Sequence, residues 1–431
     1  MKTRNLTFLL GSLACCYASG AHAQSETLLV QPSLPEDFDR GRNISVQQRA
    51  RPDYDPIGIR TGGFLLFPQV ETSLAFTDNV YYSDFDKSRD FAVTVAPRLQ
   101  IQSDWSRNEL KIRGGARLTR YFEQTRRNQD PWDIGAVGKV ELGNTIRFVP
   151  EAQYAREFEN PFSGETSADQ SALSSYTRAF GSLRTEYSSG QTKLTFAVDD
   201  TDYVFKNVKL RSGLIRDQSD RDRNIFRVTG QAQYAFTPSV AAFTQIGYRK
   251  TEYDRALLTG NPNRDSDSWL ITGGFNFDMS ALMRGSIGIG YTRRDFKSGL
   301  YRDAEGLAAE AKVEYFPTDL TTVTLAGRRT IEDSFVSTTS GYFDNRASLR
   351  IDHEVLRNMI LSAMADYSKQ DYIRSNFNVD VYRVTGSGMY LASNWLSFST
   401  TFSFTERSSN ALLLGQDFKE FRGQIGVTFK R

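Results

Sequence analysis

The chain has almost no cysteine or histidine: its 431 residues hold two of each. Cys15 and Cys16 both fall in an N-terminal apolar run, so the rest of the chain has no thiol for a disulfide or a thiolate metal site. His22 lies in the same leader. That leaves His353 alone for any His-based metal site or Ser/His/Asp triad, and it reads as a surface or interfacial polar residue at a strand end. No enzyme activity, metal or cofactor is expected. Long apolar runs are missing beyond the leader, which excludes helical spans, since these need about 20 apolar residues. The formal charge is only +2. That balance argues against nucleic acid as a partner.

At the start, Lys2 and Arg4 precede the apolar run 6–17, and Ala21-His22-Ala23 has the small-x-small form of a cleavage site. This predicts a signal peptide over residues 1–23. Lipid attachment at Cys15 is disfavoured because Ser12 stands where a lipobox carries Leu. Residues 24–62 are polar, without period, and punctuated by Pro32, Pro35, Pro52 and Pro56. They read as a flexible periplasmic segment, either a lead-in or a docking piece for a periplasmic partner.

From Gly63 to Arg431 the chain alternates apolar and polar residues with period two, and aromatics are plentiful, with 30 Phe, 20 Tyr and 4 Trp. The last stretch shows the pattern: Phe421, Gly423, Ile425, Val427 and Phe429 alternate with Arg422, Gln424, Gly426 and Thr428. An amphipathic terminal strand ending in an aromatic resembles the signal read by the barrel-assembly machinery, although Lys430 and Arg431 follow. Counting such segments gives about 18 strands. Short turns, such as those at Gly143-Asn144 and Leu356-Arg-Asn358, alternate with long polar loops such as 204–223. The fold expected is all-β: a transmembrane antiparallel outer-membrane barrel with both termini periplasmic. Mean hydropathy of −0.46 is no objection, because the lumen face of each strand stays polar. Pro97 and Pro150 fall inside strand candidates, where bulges or strand ends are expected.

A soluble sandwich or propeller would need an apolar interior, but the second face of nearly every strand is charged or amidic. Those faces supply the candidate lumen-lining residues Arg113, Arg117, Arg147, Glu151, Arg178, Arg184, Arg227, Arg328 and Arg350. The arginines either select anionic sugars or pair with lumen acids such as Glu151, Glu186 and Glu314. The carboxylates Asp199, Asp200 and Asp202, and the run 217–222, have the composition of a glycosidase or Ca²⁺ site. They read instead as solvated charges near lipopolysaccharide phosphates.

The lead-in Arg51-Pro-Asp-Tyr-Asp-Pro-Ile-Gly58, then Phe76-Thr-Asp-Asn-Val-Tyr-Tyr82, Pro97-Arg-Leu-Gln-Ile101 and Ser103-Asp-Trp-Ser-Arg107, resemble the "putative β-barrel porin 2" family of outer-membrane proteins. The resemblance implies a pore in the cell outer membrane for a surface or secreted polysaccharide. It also implies a periplasmic polysaccharide-export protein as partner, with outer-membrane lipid and lipopolysaccharide around the barrel. The other reading is a general or substrate-selective diffusion porin.

Overall fold

The computed structural model describes residues 44–85, 87–159, 170–279, 282–334, 339–373, 375–411, 414 and 416–431. The predicted signal peptide and residues 24–43 lie outside the described residues. No described helix is long and apolar enough to cross a membrane, which says nothing about crossing by strands.

Eighteen antiparallel strands close on themselves. They are β1 (Phe64–Thr77), β2 (Asp90–Ser103), β3 (Glu109–Ala116 continued by Leu118–Tyr121), β4 (Trp132–Leu142), β5 (Ile146–Phe158), β6 (Ser175–Ser189), β7 (Thr192–Phe205), β8 (Arg223–Thr237) and β9 (Val240–Tyr253). The second half comprises β10 (Ser266–Met279), β11 (Met283–Phe296), β12 (Ala304–Thr318), β13 (Thr321–Asp333), β14 (Gly341–Leu356), β15 (Met359–Tyr372), β16 (Asn378–Leu391), β17 (Leu396–Ser409) and β18 (Phe418–Lys430). Each strand pairs with the next. The ring closes where β1 meets β18, from Gln69 opposite Lys430 to Thr77 opposite Arg422. Closure leaves no sheet edge, so backbone polar groups are satisfied within the wall, as lipid requires.

The connections alternate in length, with turns such as 190–191, 238–239 and 357–358 at one end and loops such as 206–222 and 254–265 at the other. The chain enters β1 and leaves β18 at the turn end. Three register shifts, in β8, β12 and β14, fall beside two-residue turns, where an extra residue adds local twist.

The two strand prolines act differently from the expectation. Pro97 and Pro150 both stay in register inside their strands, opposite Val70 and Leu183. The missing N–H is accommodated by the neighbour instead. β3 breaks at Arg117, opposite the Pro97 region, and Arg117 donates its N–H to Pro131 O at 2.9 Å. Against Pro150 stands Gly138, where a Cβ would come within 3.2 Å of the proline ring. Glycine there leaves room for the ring.

The outward face is apolar and exposed: Ile271, Ile289, Leu325, Val384 and Ile425 are among its mid-strand members. Aromatics gather toward its two ends. Tyr248 packs with Trp269, and Tyr367 with Tyr382, toward the loops, while Trp395 stacks on Phe429 and Tyr390 on Phe398 toward the turns. This is the double girdle of a transmembrane barrel. His353 faces outward near the turns, 2.9 Å from the Thr321 hydroxyl through Nδ1.

Candidate functional site

Successive strand residues point to opposite faces, so the side chains alternating with the apolar set line the lumen. The inward arginines meet carboxylates across the ladder. Arg113 Nη2 lies 3.7 Å from Glu151 Oε1, and Arg227 Nε donates to Asp199 Oδ1 at 2.7 Å. Arg147 and Arg184 converge with Lys193 on Glu186, at 3.5, 3.1 and 3.3 Å. Arg178 reaches Glu157 at 3.3 Å and Gln153 Oε1 at 2.8 Å. Arg328 lies 3.6 Å from buried Asp344, which also takes Arg346 at 2.6 Å, and Arg350 donates to Asp352 at 2.9 Å. Arg117 stands at the break in β3. The candidates therefore form two arcs of the wall rather than one cluster: one over β3 to β8, the other over β13 and β14.

Between the arcs the inward face mixes further ion pairs, Arg284 and Lys312 on Glu314 at 2.6 and 3.4 Å, with neutral rows. Gln231, Gln245 and Thr272 stand side by side on β8, β9 and β10, in register. Ser397, Ser399, Thr401 and Ser403 follow one another along β17. Hydroxyls and amides both donate and accept, whereas the charged arcs present ion pairs already satisfied.

The turn end carries an additional element. Thr322, Asp352 and Ser362 form one cross-strand row on β13, β14 and β15. Val46 donates its N–H to Thr322 Oγ1 at 2.9 Å, and Gln47 Nε2 donates to Asp352 Oδ1 at 2.9 Å and Ser362 Oγ at 3.2 Å. One row nearer the turns, buried Glu354 accepts from Arg49 at 3.1 Å and Arg51 at 2.9 Å. Gln48 Oε1 accepts from Arg284 on β11 at 2.8 Å. Residues 45–51 are thus fastened inside the mouth, within the stretch read from sequence as a lead-in.

At the loop end, arginines stack on aromatic rings. Arg223 stands over Tyr203, Phe205 and Tyr253 at 5.1, 5.6 and 5.7 Å, and Arg221 over Phe205 at 4.2 Å. Arg127 and Arg211 share Tyr81 at 4.7 and 4.5 Å. Burial holds the Arg127 guanidinium below its ordinary pKa. Beneath these stacks lie buried apolar groups: Tyr176, Tyr203, Phe205 and Ile225 in one, Val80, Ala92 and Tyr121 in another. None of these arginines was singled out from sequence except as loop charge, although Arg223 and Tyr203 share the inward parity of their strands.

The acidic clusters resolve into structural roles. Asp199 pairs with Arg227 inside the lumen, and Asp200 accepts from Asn224 at 3.0 Å. In the long loop, Asp222 accepts the Phe205 N–H at 2.6 Å and Asp220 the Leu258 N–H at 3.2 Å. Asp217 accepts the Ser219 N–H, which holds its carboxyl below the ordinary range. Among the described residues no group of three or more His, Cys, Asp or Glu side chains is placed to hold a metal.

Residues 51–431 match the model of the family described as putative β-barrel porin 2. The chain belongs to that family. It shows the porin-type outer-membrane barrel that the family name describes. No curated protein matches the sequence. Among solved structures, the family member is similar to OpdL of Pseudomonas aeruginosa, at 11% identity and TM-score 0.46 over 86% of this chain and 99% of that one. It is also similar to OccAB4 of Acinetobacter baumannii, at 10% and 0.45 over 89% and 100% of the two chains. A third is the siderophore receptor PirA of Pseudomonas aeruginosa, at 7% and 0.44 over 85% and 80%.

Proposed function

We propose that the barrel is a conduit through the outer membrane for a hydrophilic polymer, a surface or secreted polysaccharide. In this reading the turn end faces the periplasm and a periplasmic polysaccharide-export protein delivers the polymer there. The observation that carries it is the inner wall, polar on both arcs and between them, with its charges neutralised in pairs. A chain of sugars can exchange hydrogen bonds along such a wall without meeting a strong charged trap. Conduction requires sites weak enough to leave. Barrels of this strand number leave an aqueous channel.

The mechanism is passage without chemistry. Ion pairs such as Arg227–Asp199 hold the arginine heads against the wall and keep them out of the path. The half-buried hydroxyls of Ser399, Thr401 and Ser403 on β17 offer donors and acceptors that sugar hydroxyls can replace one at a time.

Deleting the gene tests this directly, with surface, secreted and periplasmic polysaccharide assayed in parallel. Loss of surface polymer, restored by the intact gene and not by an unrelated porin, is the expected outcome. Normal polymer with slowed uptake of small solutes would make the protein a diffusion porin.

A further inference from the structure

We infer that Glu354, with Asp352 and Thr322 beside it, is a receptor site on the inner wall for the chain's own residues 45–51, and that this segment is a releasable strap gating the turn-end mouth. The inference rests on the barrel acting as a pore, not on which polymer it carries.

Topology makes the segment a strap. It is continuous with β1, yet its partners stand on β11, β13, β14 and β15. Counted through β18, these are four to eight places away around the eighteen-stranded ring. The chain therefore spans this arc of the turn-end mouth to reach them.

Chemistry makes it releasable. Its fastening is polar: two guanidinium groups on one carboxylate, two side-chain amides, one backbone N–H. Arg51 also reaches the carbonyls of Val46 and Arg357, at 2.9 and 3.1 Å, and Arg49 that of Asp319. Of residues 45–58 only Ser45 and Val46 are buried, and Ile57 is 74% exposed. Segments with few buried apolar contacts open at low free energy. A pivot is present as well. Gly58 and Gly62 flank the short strand Ile59–Thr61 at φ of +76° and +58°, and a Cβ at Gly58 would meet Phe67 at 2.7 Å. The pivot holds the direction of the strap while its far end binds or releases.

The test uses the scarcity of cysteine. Val46→Cys with Thr322→Cys puts a thiol on each of the two residues that the Val46 N–H to Thr322 Oγ1 bond now joins, in a chain whose own cysteines lie in the predicted signal peptide. The full-length product is purified from outer membranes and recorded in planar bilayers, oxidised and then reduced. The expected result is a crosslink on oxidation, low steady conductance, and a rise on reduction that the single Val46→Cys variant does not show. In a thiol-free variant, Glu354→Gln, open occupancy should rise by about tenfold, a factor equal to about 1.4 kcal/mol. Failure of the two cysteines to crosslink in folded, heat-modifiable protein would show the segment is not docked there. Equal conductance in the oxidised and reduced states would show that it docks without gating. No conductance in any state would remove the pore reading itself, and the gate with it.

Discussion

At the loop end, Tyr176, Tyr203, Phe205 and Ile225 are buried together under stacked arginines; at the turn end, the strap buries Val46 and is otherwise tied by polar bonds. The two rims of one barrel thus rest on different forces. Apolar burial is non-directional and accumulates with area, so the loop-end clusters fix the long connections to the strand ends. Charge-assisted hydrogen bonds are strong only while both partners stay in place, and water can replace them at modest net cost. The loop rim is therefore built to persist. The turn rim is built to exchange.

The contrast can be broken most easily at Phe205. Phe205→Ala removes a ring packed on Tyr176 at 5.2 Å and lying under Arg221 and Arg223, and it should lower stability by about 3–5 kcal/mol. Denaturant unfolding from lipid vesicles measures this. A loss below about 1 kcal/mol, the range of a surface ion pair, would mean the loop end is not packed as a core.

Arg223→Lys sharpens the same point. Lysine keeps the charge but loses the flat guanidinium that covers three rings, so stability should fall by about 1–2 kcal/mol. Full retention would mean that charge alone matters at this rim.

The smallest effect is expected on the wall between the rims. Arg147 and Arg184 are partly exposed and both face Glu186, so Arg147→Ala with Arg184→Ala should cost no more than about 1 kcal/mol. The double change leaves Lys193 as the remaining cation on Glu186 and makes the wall more negative. Reversal potentials in a salt gradient should move toward cation preference. An unmoved potential would place these side chains outside the ion path.

The barrel was legible in the sequence because lipid imposes one rule on every strand. Leu325 outside and Thr324 inside obey it as clearly as Phe421 and Arg422 do, and the turns around Gly143-Asn144 and 356–358 stand where the alternation breaks. The prolines were misjudged because a strand was read alone: the accommodation for Pro150 is Gly138, on the neighbouring strand. The lumen arginines and several of their acids, Glu151 and Glu186 among them, could be chosen from parity, but which pairs with which could not. Arg147 and Glu186 are 39 residues apart and meet only through the register of β5 and β6. The strap left no trace, since residues 45–51 have no period to give them a face and bind strands some 300 positions later, as Arg51 does Glu354 with a separation of 303.

The measurement that bears most directly on the conduit is single-channel recording with neutral sugar oligomers of increasing length added at the turn-end side. The expected result is a conductance interrupted by oligomers, with interruptions that lengthen as the oligomer grows and shorten when Ser399, Thr401 and Ser403 are replaced by alanine. A conductance that no oligomer interrupts, whatever its length, would contradict a polysaccharide path through this wall.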